Sequence, residues 1–331
     1  INNTHMSSST PFVSIIIPVY NASSYLAACL QSVCEQTFSD FEIIIINDGS
    51  TDNSIDIIKE FATSDKRIIY TSTPKQGSSL ARKAGIEIAT GKYIQFVDSD
   101  DTLFAKDTIE KLVTITEKEQ AEIIASPYVS RFPNKPDETT CLHFTQLSPI
   151  NYLKEVFSGK AVWAVWAHFF ARELFTQNTI EFPQLSLGED AILTTQLVRY
   201  AKKIIASPYP SICYHHYETS MSTTHYITDE HYQDFCTYPQ VIKQFLIKEQ
   251  IMSLLEKEWA YRHINHTFGS IHYRRLKNIK SDLKQITSDV KRYPDLKEHL
   301  DRRRKKIISL ASYSTSLAVW KIKDYIKKGK L

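Results

Sequence analysis

Asp98, Asp100 and Asp101 stand within four positions where the apolar run YIQFV gives way to DSDDTLF. Crowded carboxylates repel one another, so the grouping is easier to explain with a cation than without one. Mg²⁺ and Mn²⁺ are hard ions that take oxygen ligands, typically one or two carboxylates with phosphate and water completing the shell. An Asp-x-Asp at a strand end supplies such carboxylates and leaves room for a diphosphate, whose departing charge the metal stabilises as a Lewis acid. Asp101 also reads as a simple cap for the segment that starts near Phe104. Two other stretches, PVYN (Pro18 to Asn21) and NDGSTD (Asn47 to Asp52), close apolar runs in the same polar manner. Any one of the three is ordinary turn chemistry; their coincidence at one edge points to a site.

Elements that bring such ends together are legible. VSIIIPV at 13–19, FEIIII at 41–46, RIIYTS at 67–72 and KYIQFV at 92–97 are β-branched runs without polar alternation, as expected of parallel strands covered on both faces. Helical patterns lie between them over Ser24 to Cys34, Ile55 to Phe61 and Leu80 to Ala89. The order β-α-β-α-β-α-β predicts a doubly wound α/β domain with its ligand beyond the carboxyl ends of the strands.

The glycines narrow the choice of ligand cradle. Eight are present, at 49, 77, 85, 91, 159, 188, 269 and 329, and none are spaced as G-x-G-x-x-G or as G-x-x-x-x-G-K-[ST]. A backbone cradle for phosphate is therefore not expected, and a bound diphosphate calls for a metal on acidic residues instead. The 331 residues carry a net charge of +3, too mild to imply nucleic-acid binding. Cys29, Cys34, Cys141, Cys213 and Cys236 form no zinc-type cluster and no C-x-x-C pair, which suits a reduced, cytoplasmic setting. The start, INNTHMSSST, is polar, contains His5-Met6 like a cloning scar and has no signal-type apolar core; residues 1–10 are set aside as a tag or disordered start.

The ordered set PVYN, S-x-x-x-Q-T-F, NDGS, GSSLARKAG and DSDD, running from Val13 to about Phe104, resembles the nucleotide-sugar-binding half of glycosyltransferase family 2, whose members have the GT-A fold. The resemblance implies that Pro18, Val19, Tyr20 and Asn21 lie against the nucleoside and that Asp48 pairs with the uracil imide. Asn47 replaces the first acid of the family's D-D-G-S. Asp100 is the implied metal ligand for Mn²⁺ or Mg²⁺, with Asp98 at the metal or beside the sugar and Ser99 between them. Arg82 is implied near the nucleotide or sugar; on pattern alone it reads equally as a solvated helix face. Lys83 stands where the family has Asn.

Transfer to an acceptor hydroxyl calls for a carboxylate that takes its proton. Glu189 and Asp190 follow Gly188 at the start of a helical pattern, where acids also complement the helix dipole. By resemblance to the family's G-E-D, Asp190 is the base and Glu189 its support. AVWAHFFARELF resembles the family's acceptor-side segment, with Trp166 as a sugar-stacking or core residue and His168 at a Lys position. YHHYETSMST resembles the loop that closes over the donor, and His215 or His216 is the candidate there for contact with diphosphate or metal.

The expected organisation is a GT-A domain over 11–228, split into a nucleotide-sugar half (11–104) and an acceptor half (105–228), and a helical region over 229–331. Near the C-terminus, Leu310, Tyr313, Leu317 and Trp320 can share one helical face, followed by Lys321, Lys323, Lys327 and Lys328. Such a helix either lies on an anionic membrane surface, at the inner face of the cell membrane, or packs on the enzyme or another subunit of a homo-oligomer. The expected function is metal-dependent, inverting transfer of a sugar from a UDP-sugar to a saccharide or lipid-linked saccharide in surface polysaccharide assembly. A nucleotidyltransferase would need a glycine- and lysine-rich first loop, which PVYNASS is not; an inactive sugar-nucleotide-binding or scaffold protein would have no use for an intact D-x-D and G-E-D.

Overall fold

A computed structural model describes residues 10–217, 228–272 and 279–327. The first half builds β1 (Val13–Val19), α1 (Leu26–Cys34), β2 (Phe41–Asp48), α2 (Ser54–Ser64), β3 (Ile68–Thr73), α3 (Ser78–Ile88) and β4 (Tyr93–Phe96). Every residue of β1, β2 and β4 is buried, which accounts for their unbroken apolar runs. These strands are parallel and ordered β3-β2-β1-β4, so chain order reverses between β1 and β4. A crevice opens at such a reversal, beyond the strand ends. Two close approaches pack the elements behind it. A Cβ on Gly85 would lie 2.4 Å from Ile16 Cγ2, so the glycine lets α3 press onto β1, and a Cβ on Gly91 would lie 2.5 Å from the Ser14 amide nitrogen.

The chain continues through β5 (Thr102–Leu103), α4 (Thr108–Glu119), β6 (Ile123–Ala125), β7 (Tyr128–Arg131), β8 (Glu138–Thr139), β9 (Gln146–Leu147) and α5 (Pro149–Phe157). It then forms β10 (His168–Ala171), α6 (Glu173–Thr176), α7 (Glu189–Tyr200), β11 (Ile204–Ala206) and β12 (Ile212–His215). Antiparallel β10 joins β4 to β6 and completes an eight-stranded sheet, β3-β2-β1-β4-β10-β6-β11-β9. A smaller sheet, β5-β12-β7-β8, begins directly after the aspartates. Among the described residues Asp101 caps no helix: α4 starts only at Thr108, after Asp107.

From Asp229 onward the described chain is helical: α8 (Asp229–Lys248), α9 (Glu256–His272), α10 (Ile279–Arg292), α11 (Arg302–Tyr313) and α12 (Thr315–Lys327). Tyr238, Ile242 and Leu246 of α8 join the main core, whereas Ile264, Leu283, Ile286, Ile307, Ile308 and Ile322 form a second apolar cluster. The expected C-terminal helix is two helices broken at the extended Ser314 (φ −154°, ψ 119°). No helix of the described residues is long and apolar enough to cross a membrane.

Candidate active site

A cleft of about 450 Å³ opens at the strand reversal, lined at one end by Pro18, Val19, Tyr20, Asn21 and Asp48 and at the other by Arg82, Asp98, Ser99, Asp100 and Glu189. That volume suits a small ligand. At the first end Asp48, last residue of β2, accepts hydrogen bonds from the Gly77 amide (2.8 Å), the Gln76 amide (3.0 Å) and the Thr73 hydroxyl (3.1 Å). It thereby shapes the loop into α3, with the Gln76 amide shared between its two oxygens. Asn21, at φ +47°, accepts from the Thr51 amide at 2.8 Å, tying the two loops together. Tyr20 is 42% exposed and Lys75 lies over it, with Nζ 3.0 Å from the hydroxyl and 4.2 Å from the ring centre.

Arg82 is the junction of the site. Its Nη2 donates to Asp98 at 2.8 Å, and its Nη1 donates to Asp190 at 2.8 Å and to Glu189 at 3.5 Å. The guanidinium is 3% exposed and stays charged, because three carboxylates outweigh its desolvation. Burial pushes the Asp190 carboxyl up to about 7, against the pull of Arg82 and with Glu189 and Asp98 adding repulsion. The Val165 amide donates to Asp190 at 3.3 Å and the Ser78 hydroxyl to Glu189 at 2.9 Å. Asp190 is held at the start of α7 by Gly188, whose φ of +89° and 2.3 Å Cβ approach to the Tyr238 ring leave room for no side chain.

At the far end burial and the neighbouring Asp98 raise Asp100 to about 6. Burial first, then Asp100 and Asp98, raise Asp101 to about 9. One oxygen of Asp101 accepts from the His215 amide at 2.8 Å, while the other, Oδ2, is buried with no partner. No three His, Cys, Asp or Glu side chains among the described residues converge as a closed metal cage. This donor set fits Mg²⁺ or Mn²⁺ held by Asp100 and Asp98 with substrate phosphate, and not an all-protein site.

Residues 14–176 match the family described as Glycosyl transferase family 2. Over this stretch the chain belongs to glycosyltransferase family 2. Glycosyltransferase GlyA of Streptococcus pneumoniae is 31% identical over 208 residues, 58% of this chain and 29% of its own length. The uncharacterized glycosyltransferase EpsJ of Bacillus subtilis is 31% identical over 200 residues, 59% of this chain and 58% of its own length. The chain thus spans well under two thirds of either relative. An S. aureus TarS fragment solved with UDP-GlcNAc has the same fold, with a TM-score of 0.70 at 18% identity over 96% of this chain and 92% of that one. The mannosyltransferase PcManGT from Pyrobaculum calidifontis, solved with GDP-Man and Mn²⁺, aligns at TM-score 0.54 and 17% identity over 96% of this chain and 88% of its own.

The structure corrects two of the acceptor-side candidates, Trp166 and His168. Trp166 is 7% exposed and stacked on Tyr214 at 5.4 Å, so no ring face is left for a sugar. His168 is 1% exposed, with Nε2 bonded to the Tyr152 hydroxyl at 2.6 Å and Nδ1 2.8 Å from the Ala164 carbonyl; burial lowers it to about 4. Both are core residues. His216 stacks on Phe132 at 4.1 Å, and the ring nitrogen Nε2 of His215 is 3.2 Å from the Thr102 hydroxyl. Among the described residues of this stretch Tyr217 reaches the D-x-D: it donates to the Asp100 carbonyl at 3.2 Å and packs on Tyr25 at 4.0 Å. Glu218 to Thr223, the remainder of the expected donor loop, lie outside the described residues, as does Lys328. Lys75, Ser78 and Tyr217 carry no signal of their own in the sequence; only their place just before GSSLARKAG, within it, and next to the two histidines marks them.

Proposed function

We propose that this protein moves a sugar from a UDP-sugar onto a hydroxyl of a saccharide or lipid-linked saccharide, with inversion at the anomeric carbon, in surface polysaccharide assembly in the cytoplasm. The observation that carries the proposal is the Arg82 bridge, one buried guanidinium that joins Asp98 of the D-x-D to Asp190 and Glu189 of the G-E-D. It gathers a donor end and a base end at one point, as a single displacement requires. UDP-GlcNAc in the TarS structure supports a uridine donor. Asp48 accepts the imide hydrogen of the base, and the PVYN backbone flanks the nucleoside.

Asp190 takes the proton of the acceptor hydroxyl as its oxygen bonds to the anomeric carbon. The bond from that carbon to the β-phosphate oxygen breaks in the same step, and UDP leaves with the electron pair. A carboxyl near 7 is matched to that task at neutral pH. Glu189 and Arg82 fix the orientation of Asp190. Asp100 with Asp98 would hold Mn²⁺ or Mg²⁺, which would supply charge stabilisation for a leaving diphosphate. Within this reading residues 11–104 bind the donor, 105–228 the acceptor, and 229–331 support α7 through α8. The test is a screen of UDP-sugars with Mn²⁺, read by thermal shift and by donor hydrolysis. At least one UDP-sugar stabilises the protein and is turned over; absence of UDP affinity under all conditions rejects the proposal.

A further inference from the structure

One feature of the molecule is outside the reaction. Tyr313 is 87% exposed, Leu317 44% and Trp320 63%. Isolated exposed apolar side chains are ordinary, but Leu317 and Trp320 stand three apart on one face of α12, and Tyr313 ends α11 just before the break. The other faces of the two helices are satisfied: Ile307, Ile308, Ala311, Ala318 and Ile322 are buried in the second core, and Leu310 is partly buried against it. Beyond Trp320 the exposed face continues through Lys323 and Lys327.

We propose that this face of α11–α12 docks on an anionic lipid surface. Charge selects the occupant. Residues 302–327 carry eight basic side chains (Arg302, Arg303, Arg304, Lys305, Lys306, Lys321, Lys323 and Lys327) and a single acid, Asp324. That acid is engaged by Lys321 at 3.0 Å. A second copy of the chain would set lysine against lysine across a two-fold contact, whereas anionic headgroups attract all of them. Three apolar side chains also form a patch too small for the core of a stable dimer. Trp and Tyr suit the headgroup boundary, their rings dissolving among acyl carbons and their polar atoms staying wet. The 13 residues of α12 extend about 20 Å, short of the about 30 Å of a bilayer core, so the helix lies in the surface plane.

The inference is independent of the proposed transfer reaction, and its test reads binding alone. The full chain is sedimented with vesicles of phosphatidylcholine and phosphatidylglycerol (7:3) and of phosphatidylcholine alone, at low and high salt. Binding to the anionic vesicles exceeds binding to neutral ones by about tenfold or more and weakens with salt. Leu317→Ser with Trp320→Ser lowers it about tenfold at unchanged Tm, Lys323→Glu with Lys327→Glu abolishes it, and Trp320→Phe retains it. Equal binding by the serine variant, equal binding to neutral vesicles, or a concentration-dependent dimer that the serine variant dissolves would each overturn the proposal.

Discussion

Up to His215 the interior holds Glu42, Asp48, Arg82, Gln95, Asp101 and His168 among its apolar side chains. From Asp229 onward, among the described residues, the buried set is apolar apart from Thr267. Both regions solve the same packing problem, but among the described residues fully buried charged side chains stand only in the first, where desolvating them costs free energy. Such groups persist where they are paired, and here Arg82, Asp98, Glu189 and Asp190 are paired to one another at the cleft. The difference separates a region that keeps buried charge at its cleft from one whose acids, bases and histidines, His266 and Asp282 among them, are no more than partly buried in the described residues.

The sharpest way to break the comparison is at Asp190. Asp190→Asn is expected to lower kcat by about 10²- to 10⁴-fold with the donor KM changed little, measured by initial rates of UDP release. Next comes Arg82→Leu. It leaves three carboxylates without their cation and should destabilise the fold by about 3–5 kcal/mol in urea titration, with loss of activity even at temperatures where the protein is folded. Ile308→Ala is the matched control in the helical region. It should cost about 2–5 kcal/mol and leave kcat within about twofold below its lowered Tm. An equal loss of kcat there would erase the distinction between the two interiors.

Protons sharpen the same contrast at smaller amplitude. As the proposed base, Asp190 would act when ionised, so kcat/KM should fall on the acid side with an apparent pKa of about 7, a limb that Asp190→Asn removes. Stability runs the other way. Burial raises Asp100, Asp101 and Asp190 above the ordinary carboxylate range, so in the metal-free protein their contribution is fully present below about pH 4. It is lost as pH rises through about 6 at Asp100, about 7 at Asp190 and about 9 at Asp101. Mn²⁺ should therefore raise Tm more at alkaline than at acid pH, and Asp100→Asn should remove most of that shift. The smallest effect is expected at the surface: Tyr313→Ser should change stability by less than about 0.5 kcal/mol in thermal melts.

Much of the donor half was legible because its signals are local. A strand covered on both faces must be apolar along its whole length, and 13–19 and 41–46 are found within β1 and β2. The ends of those strands must turn, and Asn, Asp, Gly and Ser announce the turn. The acceptor half was less legible because its aromatic run, AVWAHFF, has one pattern and two meanings. A Trp or His there looks alike whether it faces a ligand or the core, and Trp166 and His168 both face the core.

The sequence by itself determined the α/β class, the three polar strand ends, and the two acidic motifs, since each is a matter of neighbouring residues and their intrinsic chemistry. Tertiary structure decided what long-range contact alone can decide. Arg82 has the helical spacing of a solvated residue. It becomes the buried junction only because Gly85 lets α3 press against Ile16 while α7 delivers Glu189 and Asp190 from more than a hundred positions away. Asp101 has the local look of a cap. It becomes a buried carboxylate tied to the His215 amide because β12 returns beside β5, and no pattern within the DSDD segment specifies which distant strand will return there.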